Sequence, residues 1–532
     1  MEKYFNTAGP NKADIQYTLN PLKRINLPEI EDLIEQRKYF VVHAPRQTGK
    51  TSMLLALRDY LNASGKYFCV YANIEPGQAN RNDVETVNDV VCTIIALQID
   101  SLLGGRKYSE LYAKKFRKSG KGAHIVTFLT FLSEEFDKPF ILFLDEIDAL
   151  VGDSLVSVLR QLRSGYEKRP DHFPQSVILC GVRDVRDYRI TLSNQEIITG
   201  GSAFNVKAKS LRMGNFSKEE IHELYMQHTE ATGQVFDEAC FPMIWKATEG
   251  QPWLVNALAY EVTYEMKENR DRSVRIIPEM IYKAQESIIY QRYTHIDALI
   301  DKLKEPRVRR IIEPLLANDE DADESLFPPD DLQYCVDLGL IAQKKPVRIA
   351  NDIYREVIPR ELTWTTQYFI VQEPEWYLNP DNSINVEKLL LDFQQFFRQN
   401  ADSWIGKFDY AEAGPQLLLQ AFLQRIVNGG GYIDREYGLG RGRTDLLIRK
   451  PLTDTYGGPY QRVVLELIIL RNSLRKTIAD GLKQTFEYMD KAGDVSEGHF
   501  IVFDRSSKKP WSKKIFHRQG EYQGTKIMIW GM

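Results

Sequence analysis

Tyr39-Phe40-Val41-Val42-His43-Ala44-Pro45-Arg46-Gln47-Thr48-Gly49-Lys50-Thr51-Ser52 is the stretch that decides the fold of this chain. An apolar run with the character of a buried strand leads into a turn, and the apolar residues after the turn recur at helical spacing. A phosphate-binding loop requires this order of strand, loop and helix. Ala44 stands where the motif has its first glycine, which is acceptable only if that residue does not need a positive φ. The alternative interpretation is a chance Gly-Lys-Thr in a surface turn.

The loop is predicted to bind the phosphates of ATP. In loops of this kind, successive backbone N–H groups point inward and cradle a phosphate. Lys50 would reach the β- and γ-phosphates, and the Thr51 hydroxyl would ligate Mg²⁺. The predicted nucleotide-binding residues of this loop are Ala44, Pro45, Arg46, Gln47, Thr48, Gly49, Lys50, Thr51 and Ser52.

A second motif supports the first. The apolar run from Phe140 to Leu144 is typical of a strand buried on both faces, and it ends in Asp145-Glu146-Ile147-Asp148. Asp145 is predicted to hold Mg²⁺ through water, and Glu146 to polarise the attacking water as general base. Asp148 is the next candidate for the base. The simpler interpretation is a strand followed by acidic residues at the start of a helix.

Length and composition limit the class of protein. At 532 residues the chain should hold three or four domains, given ~100–200 residues per domain. A net charge of -4 argues against a wholly basic nucleic-acid coat. The five scattered cysteines indicate buried thiols. No signal peptide and no run of roughly 20 apolar residues is evident, so we expect a cytoplasmic protein that does not interact with membranes.

The residues up to about Leu211 alternate between strands and helices, which predicts an α/β fold with a parallel sheet covered on both faces. The strand that follows the acidic motif ends near Arg183. A guanidinium there could stabilise charge on the transferred phosphoryl group, so Arg183 is a predicted catalytic residue; the alternative is an ordinary surface arginine. Candidates for an arginine that acts on a neighbouring subunit of a homo-oligomer are Arg160, Arg163 and Arg186.

Beyond Ser210 the pattern becomes helical, beginning with the capping box Ser217-Lys218-Glu219-Glu220. The phosphate loop, the Asp145-Glu146 pair, the strand tip at Arg183 and the motif Gly250-Gln251-Pro252 together resemble AAA-like P-loop ATPases of the STAND branch. The resemblance covers roughly residues 17 to 362. It implies a helical lid in which Gln251 and Pro252 lie near the nucleotide; the alternative for these residues is a plain turn between helices.

The resemblance also implies a winged-helix-like module after the lid. A helix that ends at Gly339 and a wing strand over Val347–Asn351 are expected there. Winged helices often bind DNA, but the acidic run from Asp319 to Glu324 would repel a phosphate backbone. We therefore favour a regulatory role for this module.

The C-terminal residues predict a separate domain. The order of a helix, three strands, a helix and a strand resembles the core of PD-(D/E)XK nucleases. The resemblance implies that Asp445 and Glu466 are catalytic and bind Mg²⁺ for phosphodiester hydrolysis. Ile468 occupies the position of the family lysine, for which Arg471 or Lys483 could substitute. Gln484 matches a glutamine that relatives often carry on the following helix.

Basic residues near these carboxylates favour nucleic acid as the partner of the C-terminal domain. The late stretch from Arg505 to Arg518 contains lysines and arginines around Trp511 without an acid, and the simpler interpretation is a solvated tail. Two functions remain open: an ATP-regulated nuclease in defence or mobile-element biology, and an ATP-driven switch whose C-terminal domain only binds nucleic acid or protein. The predicted domains are an ATPase core over 1–212, a lid over 213–296, a winged-helix-like module over 297–364, a linker over 365–384 and a nuclease-like domain over 385–532.

Overall fold

A computed structural model describes most of the chain, and it divides the chain into two compact units. The described residues are 2–117, 122–184, 189–191, 197–291, 294–316, 327–362, 374–405, 418–423, 432–434, 444–453, 459–470, 473–504, 506 and 509–532. The first unit comprises Met1–His295 with Val336–Leu340, and the second comprises Ile296–Cys335 with Ile341–Met532. The finer division into five domains stays a prediction.

The first unit is built on the predicted parallel sheet. Its strands are β1 Tyr39–His43, β2 Phe68–Asn73, β3 Phe140–Asp145, β4 Ser176–Gly181, the short pair β5 Arg189–Thr191 and β6 Ile197–Thr199, and β7 Lys207–Arg212. Five of the described strands form the sheet in the order β2-β3-β4-β1-β7, and every pairing in it is parallel. The C-terminal ends of β3, β4 and β7 therefore lie at the same edge as the phosphate loop.

Helices cover both faces of this sheet. The helices of the sheet layer are α1 Leu27–Glu35, α2 Lys50–Ala63, α3 Val84–Leu103, α4 Lys107–Leu111, α5 His124–Glu135, α6 Gly152–Ser164 and α7 Gly200–Ala203. Alternate residues of β1 point to opposite faces, so that Val41 packs with α3, α5 and α6 while Val42 packs with α1 and α2. Burial on both sides explains why the strands are continuously apolar.

Helix α3 is apolar for a reason that its sequence alone does not reveal. Within the described part of the chain, Val84–Leu103 is long and apolar enough to cross a membrane by length and composition. In the structure, eight of its residues are buried, and its apolar face lies in the core on one side of the sheet. The same composition therefore serves a core helix here. The five cysteines are all buried and free, as the sequence predicted.

The predicted lid is helical. Its helices are α8 Lys218–Thr232, α9 Cys240–Thr248, α10 Pro252–Tyr260 and α11 Pro278–Gln291. The capping box is confirmed at the start of α8, where Ser217 and Glu220 each bond the other residue's backbone N–H. Pro252 occupies the first turn of α10, where its missing N–H is not needed.

Helices α12 Thr294–Leu303, α13 Pro306–Leu316, α14 Pro329–Asp337 and α15 Asp352–Leu362 follow the lid. The helix that ends before Gly339 is confirmed, and Gly339 has a φ of 79°. The predicted wing strand over Val347–Asn351 is wrong: only an isolated antiparallel bridge joins Ile341 and Ile349 in this region. A run of turn residues between them, including Lys344-Lys345-Pro346, leaves too few positions to pair.

The C-terminal residues form a mixed sheet. Its strands are β8 Tyr432–Asp434, β9 Thr444–Pro451, β10 Tyr460–Ile469, β11 Glu497–Phe503, β12 Phe516–Tyr522 and β13 Thr525–Gly531, and its helices are α16 Val386–Ile405, α17 Leu474–Ala492 and α18 Trp511–Lys514. The described strands are ordered β12-β13-β11-β10-β9-β8. The interpretation of the late basic stretch as a solvated tail is wrong, because its described part contains α18 and the beginning of the edge strand β12.

Candidate functional site

The phosphate loop adopts the conformation that its sequence predicts. Gly49 precedes α2 with a φ of 90°, and an added Cβ there would lie 3.0 Å from Arg24 Nη1. Gln47 has a φ of 57°. Ala44 is not among the described residues with positive φ, so its Cβ is tolerated where the motif has glycine. Ala44 is fully buried, and its N–H donates to the carbonyl of Gly181 on β4 at 3.3 Å.

Lys50 and Thr48 close the loop on itself. The Lys50 ammonium donates to the carbonyls of Ala44 at 2.9 Å and Pro45 at 3.0 Å. The Thr48 hydroxyl also donates to the Pro45 carbonyl, at 2.8 Å. Lys50 is nearly buried, so its charge is held at the loop by these carbonyls.

Thr51 and Asp145 meet as the two motifs require. The Thr51 hydroxyl donates to Asp145 Oδ2 at 2.8 Å, and the hydroxyl of Tyr71 on β2 donates to the same oxygen at 2.8 Å. Asp145 is fully buried at the end of β3. A hydroxyl beside a carboxylate is a donor set that suits Mg²⁺, which takes few protein ligands and completes its shell with water and phosphate oxygens. The described residues contain no cluster of three or more His, Cys, Asp or Glu side chains that could hold a metal ion.

Glu146 lies directly after β3 in a left-handed conformation, with a φ of 59°. Such backbone strain in a residue other than glycine is often found at functional sites. Burial raises the pKa of the Glu146 carboxyl, and the neighbouring Asp148 raises it further. Asp148 instead accepts the N–H of Val182 at 3.2 Å, which ties it to the end of β4. The geometry therefore favours Glu146 over Asp148 as the base.

Arg183 lies beyond the end of β4, as predicted, and it contacts an acid that the sequence analysis did not consider. Its Nε is 3.6 Å from Asp337 Oδ2. Arg212, at the end of β7, donates to Asp337 Oδ1 at 3.1 Å and to the carbonyl of Val336 at 2.9 Å. Of the other arginines considered, Arg163 donates to the carbonyl of Ser202 at 3.5 Å. Arg186 lies outside the described residues.

Arg24 links the loop to the lid. Its guanidinium donates to the carbonyls of Thr48 at 2.6 Å and Gly214 at 2.5 Å, and it stacks on the ring of Phe216 at 4.6 Å. Phe216 in turn donates its N–H to the carbonyl of Gly250 at 2.8 Å. Burial lowers the pKa of Arg24 to about 10, a value that still keeps it charged at neutral pH.

The lid motif is held by close packing and contains a polar group with no partner. An added Cβ on Gly250 would lie 2.0 Å from the Phe216 carbonyl oxygen, so only glycine fits there. Gln251 caps α10 through its Oε1, which accepts the N–H of Leu254 at 2.6 Å. Its Nε2 is buried without a hydrogen-bond partner. A buried donor of this kind suits a ligand acceptor, as the prediction for Gln251 and Pro252 requires.

The N-terminal segment touches both the loop helix and the lid. The N–H of Asn11 donates to the Ser52 hydroxyl at 3.1 Å, and the Trp253 indole donates to the carbonyl of Thr7 at 2.8 Å. Phe5 packs beside Tyr17 in the same segment. The N-terminal segment therefore contacts the last residue of the predicted phosphate loop and the residue that follows the lid motif.

A second candidate site lies in the C-terminal sheet. Asp445 on β9 pairs with Glu466 on β10 in the antiparallel register, so the two residues occupy directly opposed positions on adjacent strands. Glu466 is 1% exposed, and neither of its carboxylate oxygens has a hydrogen-bond partner in the described residues. A buried carboxylate without a partner is costly, and bound metal would satisfy it. Helix α17 is fixed near this position because Gly481 lies against the ring of Phe500, the neighbour of Glu466 on β11.

The residues around Glu466 differ from the nuclease pattern as the sequence indicated. Ile468 packs in an apolar cluster with Ile478, Phe500 and others beneath α17. The Lys483 ammonium lies 3.8 Å from Glu487 on the exposed side of α17. Arg471 lies outside the described residues. The Oε1 of Gln484 is buried without a partner, which fits a role near the carboxylates.

Three residues at the nucleotide site were missed by the sequence analysis. Tyr71 could have been found, because it places a hydroxyl in an otherwise apolar strand beside the one that ends in Asp145. Arg24 and Asp337 gave no local signal, since their partners are distant in the sequence.

Comparisons with known proteins found a matching family and several similar solved structures. Residues 24–355, more than half of the chain, match the family described as AAA-like domain. No curated protein matches. Among solved structures, the Walker-type ATPase of Pyrococcus abyssi has 16% identity and a TM-score of 0.46, with 66% of this chain and 99% of that chain covered. The ORC2 protein of Aeropyrum pernix has 16% identity and a TM-score of 0.37, with 64% and 94% covered. The RuvB Holliday junction branch migration motor of Thermotoga maritima has 12% identity and a TM-score of 0.32, with 63% and 95% covered.

Proposed function

Because the chain belongs to the AAA-like domain family, we propose that its first unit binds ATP with Mg²⁺ and hydrolyses it. The observation that carries the proposal is the hydrogen bond of 2.8 Å between the Thr51 hydroxyl and Asp145. It brings the phosphate loop and the acidic strand end together at one edge of the sheet. Lys50 lies in the same loop and Glu146 follows Asp145 directly, so the groups that phosphoryl transfer needs are assembled.

Each residue has a role that follows from its position. The loop N–H groups and Lys50 bind the β- and γ-phosphates; ATP would draw the Lys50 ammonium from the Ala44 and Pro45 carbonyls. Thr51 and Asp145 would hold Mg²⁺, which neutralises charge on the phosphate oxygens. Glu146 accepts the proton of the attacking water, and its raised pKa brings it closer to neutral pH. Arg183 offsets charge on the transferred phosphoryl group.

Lys50→Ala tests this proposal most directly. Removal of the ammonium should sharply weaken both ATP binding and turnover, measured by nucleotide titration and by phosphate release. Lys66→Ala is the matched control, because Lys66 is exposed and lies 3.9 Å from Glu35. Equal ATPase rates for the wild type and Lys50→Ala would contradict the proposal.

For the C-terminal domain we propose a divalent metal site at Asp445 and Glu466 that cleaves nucleic acid under the control of the ATPase. The support is the buried Glu466 carboxylate without a partner in the described residues. Exposed basic residues on β12, the edge strand of the same sheet, such as Arg518, would attract a phosphate backbone. Nicking of plasmid DNA and cleavage of RNA with Mg²⁺ or Mn²⁺, compared between wild type and Asp445→Ala, test the activity.

The second candidate is an ATP-driven switch whose C-terminal domain binds nucleic acid or protein without cleavage. The observation that favours it is Ile468, which fills an apolar cluster where an active nuclease of this type carries a lysine. Binding of DNA or RNA without any metal-dependent cleavage would support this candidate. Absence of both binding and cleavage would leave nucleic acid out of the function.

A further inference from the structure

Asp337 is a buried acid to which the proposed chemistry assigns no role. It ends helix α14 and belongs to the segment Val336–Leu340, which forms part of the first unit although the residues on either side do not. Its side chain is 1% exposed, and its two oxygens lie near Arg183 and Arg212. These arginines stand at the ends of β4 and β7, the two strands that flank β1. Asp337 therefore faces the edge of the sheet from which the phosphate loop begins.

The same segment touches the phosphate loop itself. Gly339 has a φ of 79°, and an added Cβ there would lie 2.9 Å from Pro45 Cβ. This close approach needs both the absent side chain and the left-handed backbone that glycine allows. Asp337, two residues earlier, therefore belongs to a segment that packs against the loop at Pro45.

Arg212 and Arg183 are held differently by this acid. Arg212 makes contacts with Asp337 Oδ1 and with the Val336 carbonyl, so it anchors the end of α14. Arg183 approaches Asp337 through Nε at 3.6 Å. A long, flexible arginine that is already held near its target loses less conformational freedom when it binds a phosphate.

We propose that Asp337 is a positioning residue for ATP hydrolysis, which holds the Arg183 guanidinium beside the phosphate loop so that it meets the γ-phosphoryl group. The proposal rests on the proposed ATPase function of the first unit. It means that the nucleotide site is completed by a segment that follows the lid in the sequence. Turnover then depends on the docking of Val336–Leu340 at Pro45.

Asp337→Asn keeps the size of the side chain and removes its charge. We expect kcat to fall roughly 10–100-fold while KM for ATP changes little, because a misplaced catalytic group mainly affects the transition state. Asp337→Glu should recover part of kcat. Gly339→Ala, which forces the segment away from Pro45, should lower kcat in the same way with Asp337 still present.

Two comparisons separate positioning from a structural role. In the double variant Arg183→Ala with Asp337→Asn, turnover should equal that of Arg183→Ala alone, since Asp337 acts through Arg183. Asp331→Asn is the matched control: Asp331 lies on the same helix and also contacts two arginines, Arg307 at 3.3 Å and Arg310 at 3.2 Å. It should leave kcat unchanged.

The outcomes are distinct. Additive losses in the double variant, or equal losses in Asp331→Asn, would overturn the proposal in favour of a structural role. A rise in kcat for Asp337→Asn would also overturn it, because Asp337 would then restrain Arg183. Wild-type protein without ATPase activity would instead refute the proposed function. If Asp337→Asn does not fold, Gly339→Ala and Asp337→Glu still test the positioning role. An unchanged kcat in Gly339→Ala would contradict the proposal.

Discussion

At the scale of single residues, the environment of Glu146 supports its proposed role as the general base. It is held at a φ of 59°, and burial raises the pKa of its carboxyl. We expect Glu146→Gln to retain ATP while turnover falls ~10²–10⁴-fold, because the amide keeps the size but cannot accept the proton. Nucleotide titration and phosphate release measure the two effects.

Asp148→Asn is the control for Glu146→Gln. Asp148 accepts the N–H of Val182 at 3.2 Å, an interaction that an amide oxygen can keep, so turnover should change much less. Normal hydrolysis by Glu146→Gln together with loss of hydrolysis in Asp148→Asn would assign the base to Asp148 instead.

His43 gives the nucleotide site a predictable response to acid. Burial lowers the pKa of this histidine to about 4, and the charge of Arg212 contributes. The unfolded chain, with a pKa of about 6.5 for histidine, binds a proton first as the pH falls. This difference at His43 lowers the free energy of unfolding as the pH falls from about 6.5 to about 4. Glutamine does not titrate, so the melting temperature of His43→Gln should fall less than that of the wild type across this pH range.

His172→Gln serves as the control for the acid response. The His172 side chain is 62% exposed and lies 2.7 Å from Glu134 at the surface. Its replacement should leave the pH dependence of the melting temperature close to that of the wild type. If the melting temperature of His43→Gln depends on pH in the same way as that of the wild type, other groups cause the acid sensitivity.

At the scale of elements, the turn between α9 and α10 depends on a single glycine. Gly250→Ala would place a Cβ 2.0 Å from the Phe216 carbonyl oxygen at a φ of 72°. We expect a loss of more than about 2 kcal/mol in the free energy of unfolding, since overpacking and left-handed strain add. Denaturant titration followed by circular dichroism measures it.

Gly233→Ala isolates the strain from the clash. Gly233 has a φ of 80°, close to that of Gly250, but an added Cβ would meet nothing within 4 Å. Its replacement should cost only about 1 kcal/mol, the penalty for an alanine in this backbone region. Similar losses for both variants would mean that the turn at Gly250 can move away from Phe216 without cost.

Elements were predictable where a local pattern determines them. The strand β1, the loop and α2 follow from the apolar run, the glycine turn and the helical spacing around Lys50. The capping box at Ser217 located the start of α8. The strand β12 was missed because lysines and arginines dominate the stretch in which it begins, whereas an edge strand can carry such residues on its solvent side. The prediction of the wing strand was wrong because the turn leaves room for only one β-bridge, between Ile341 and Ile349.

At the scale of the whole molecule, contacts between distant residues could not be predicted. Asp337 meets Arg212 across more than a hundred intervening residues, and no periodicity marks either partner. Arg24 reaches Thr48, which follows the strand β1, and Gly214, which follows the strand β7. Paired motifs such as Lys50 and Asp145 were assigned because a parallel sheet brings strand ends to one edge. Contacts through side chains alone depend on packing that the sequence does not encode locally.

The C-terminal site offers a test of metal binding that does not need activity. Glu466 buries a carboxylate without a partner in the described residues, so Glu466→Leu should melt at a higher temperature than the wild type when metal is chelated. Mg²⁺ or Mn²⁺ should stabilise the wild type, by about 2.7 kcal/mol at a hundredfold excess over the dissociation constant, and should not stabilise the variant. Both proteins in this comparison carry Asp145→Asn, which removes the metal response of the first unit.

Ile468→Lys then decides whether the site can cleave. The new ammonium would lie two positions from Glu466 on the same face of β10, where the charge pair offsets part of the cost of burial. We expect the variant to cleave DNA or RNA faster than the wild type, provided that its melt shows an intact fold. Glu487→Gln, on the exposed side of α17, is the control and should change neither metal response nor cleavage. Metal-dependent stabilisation without cleavage in either protein would favour the binding module, because the site would then hold a cation without the geometry for hydrolysis.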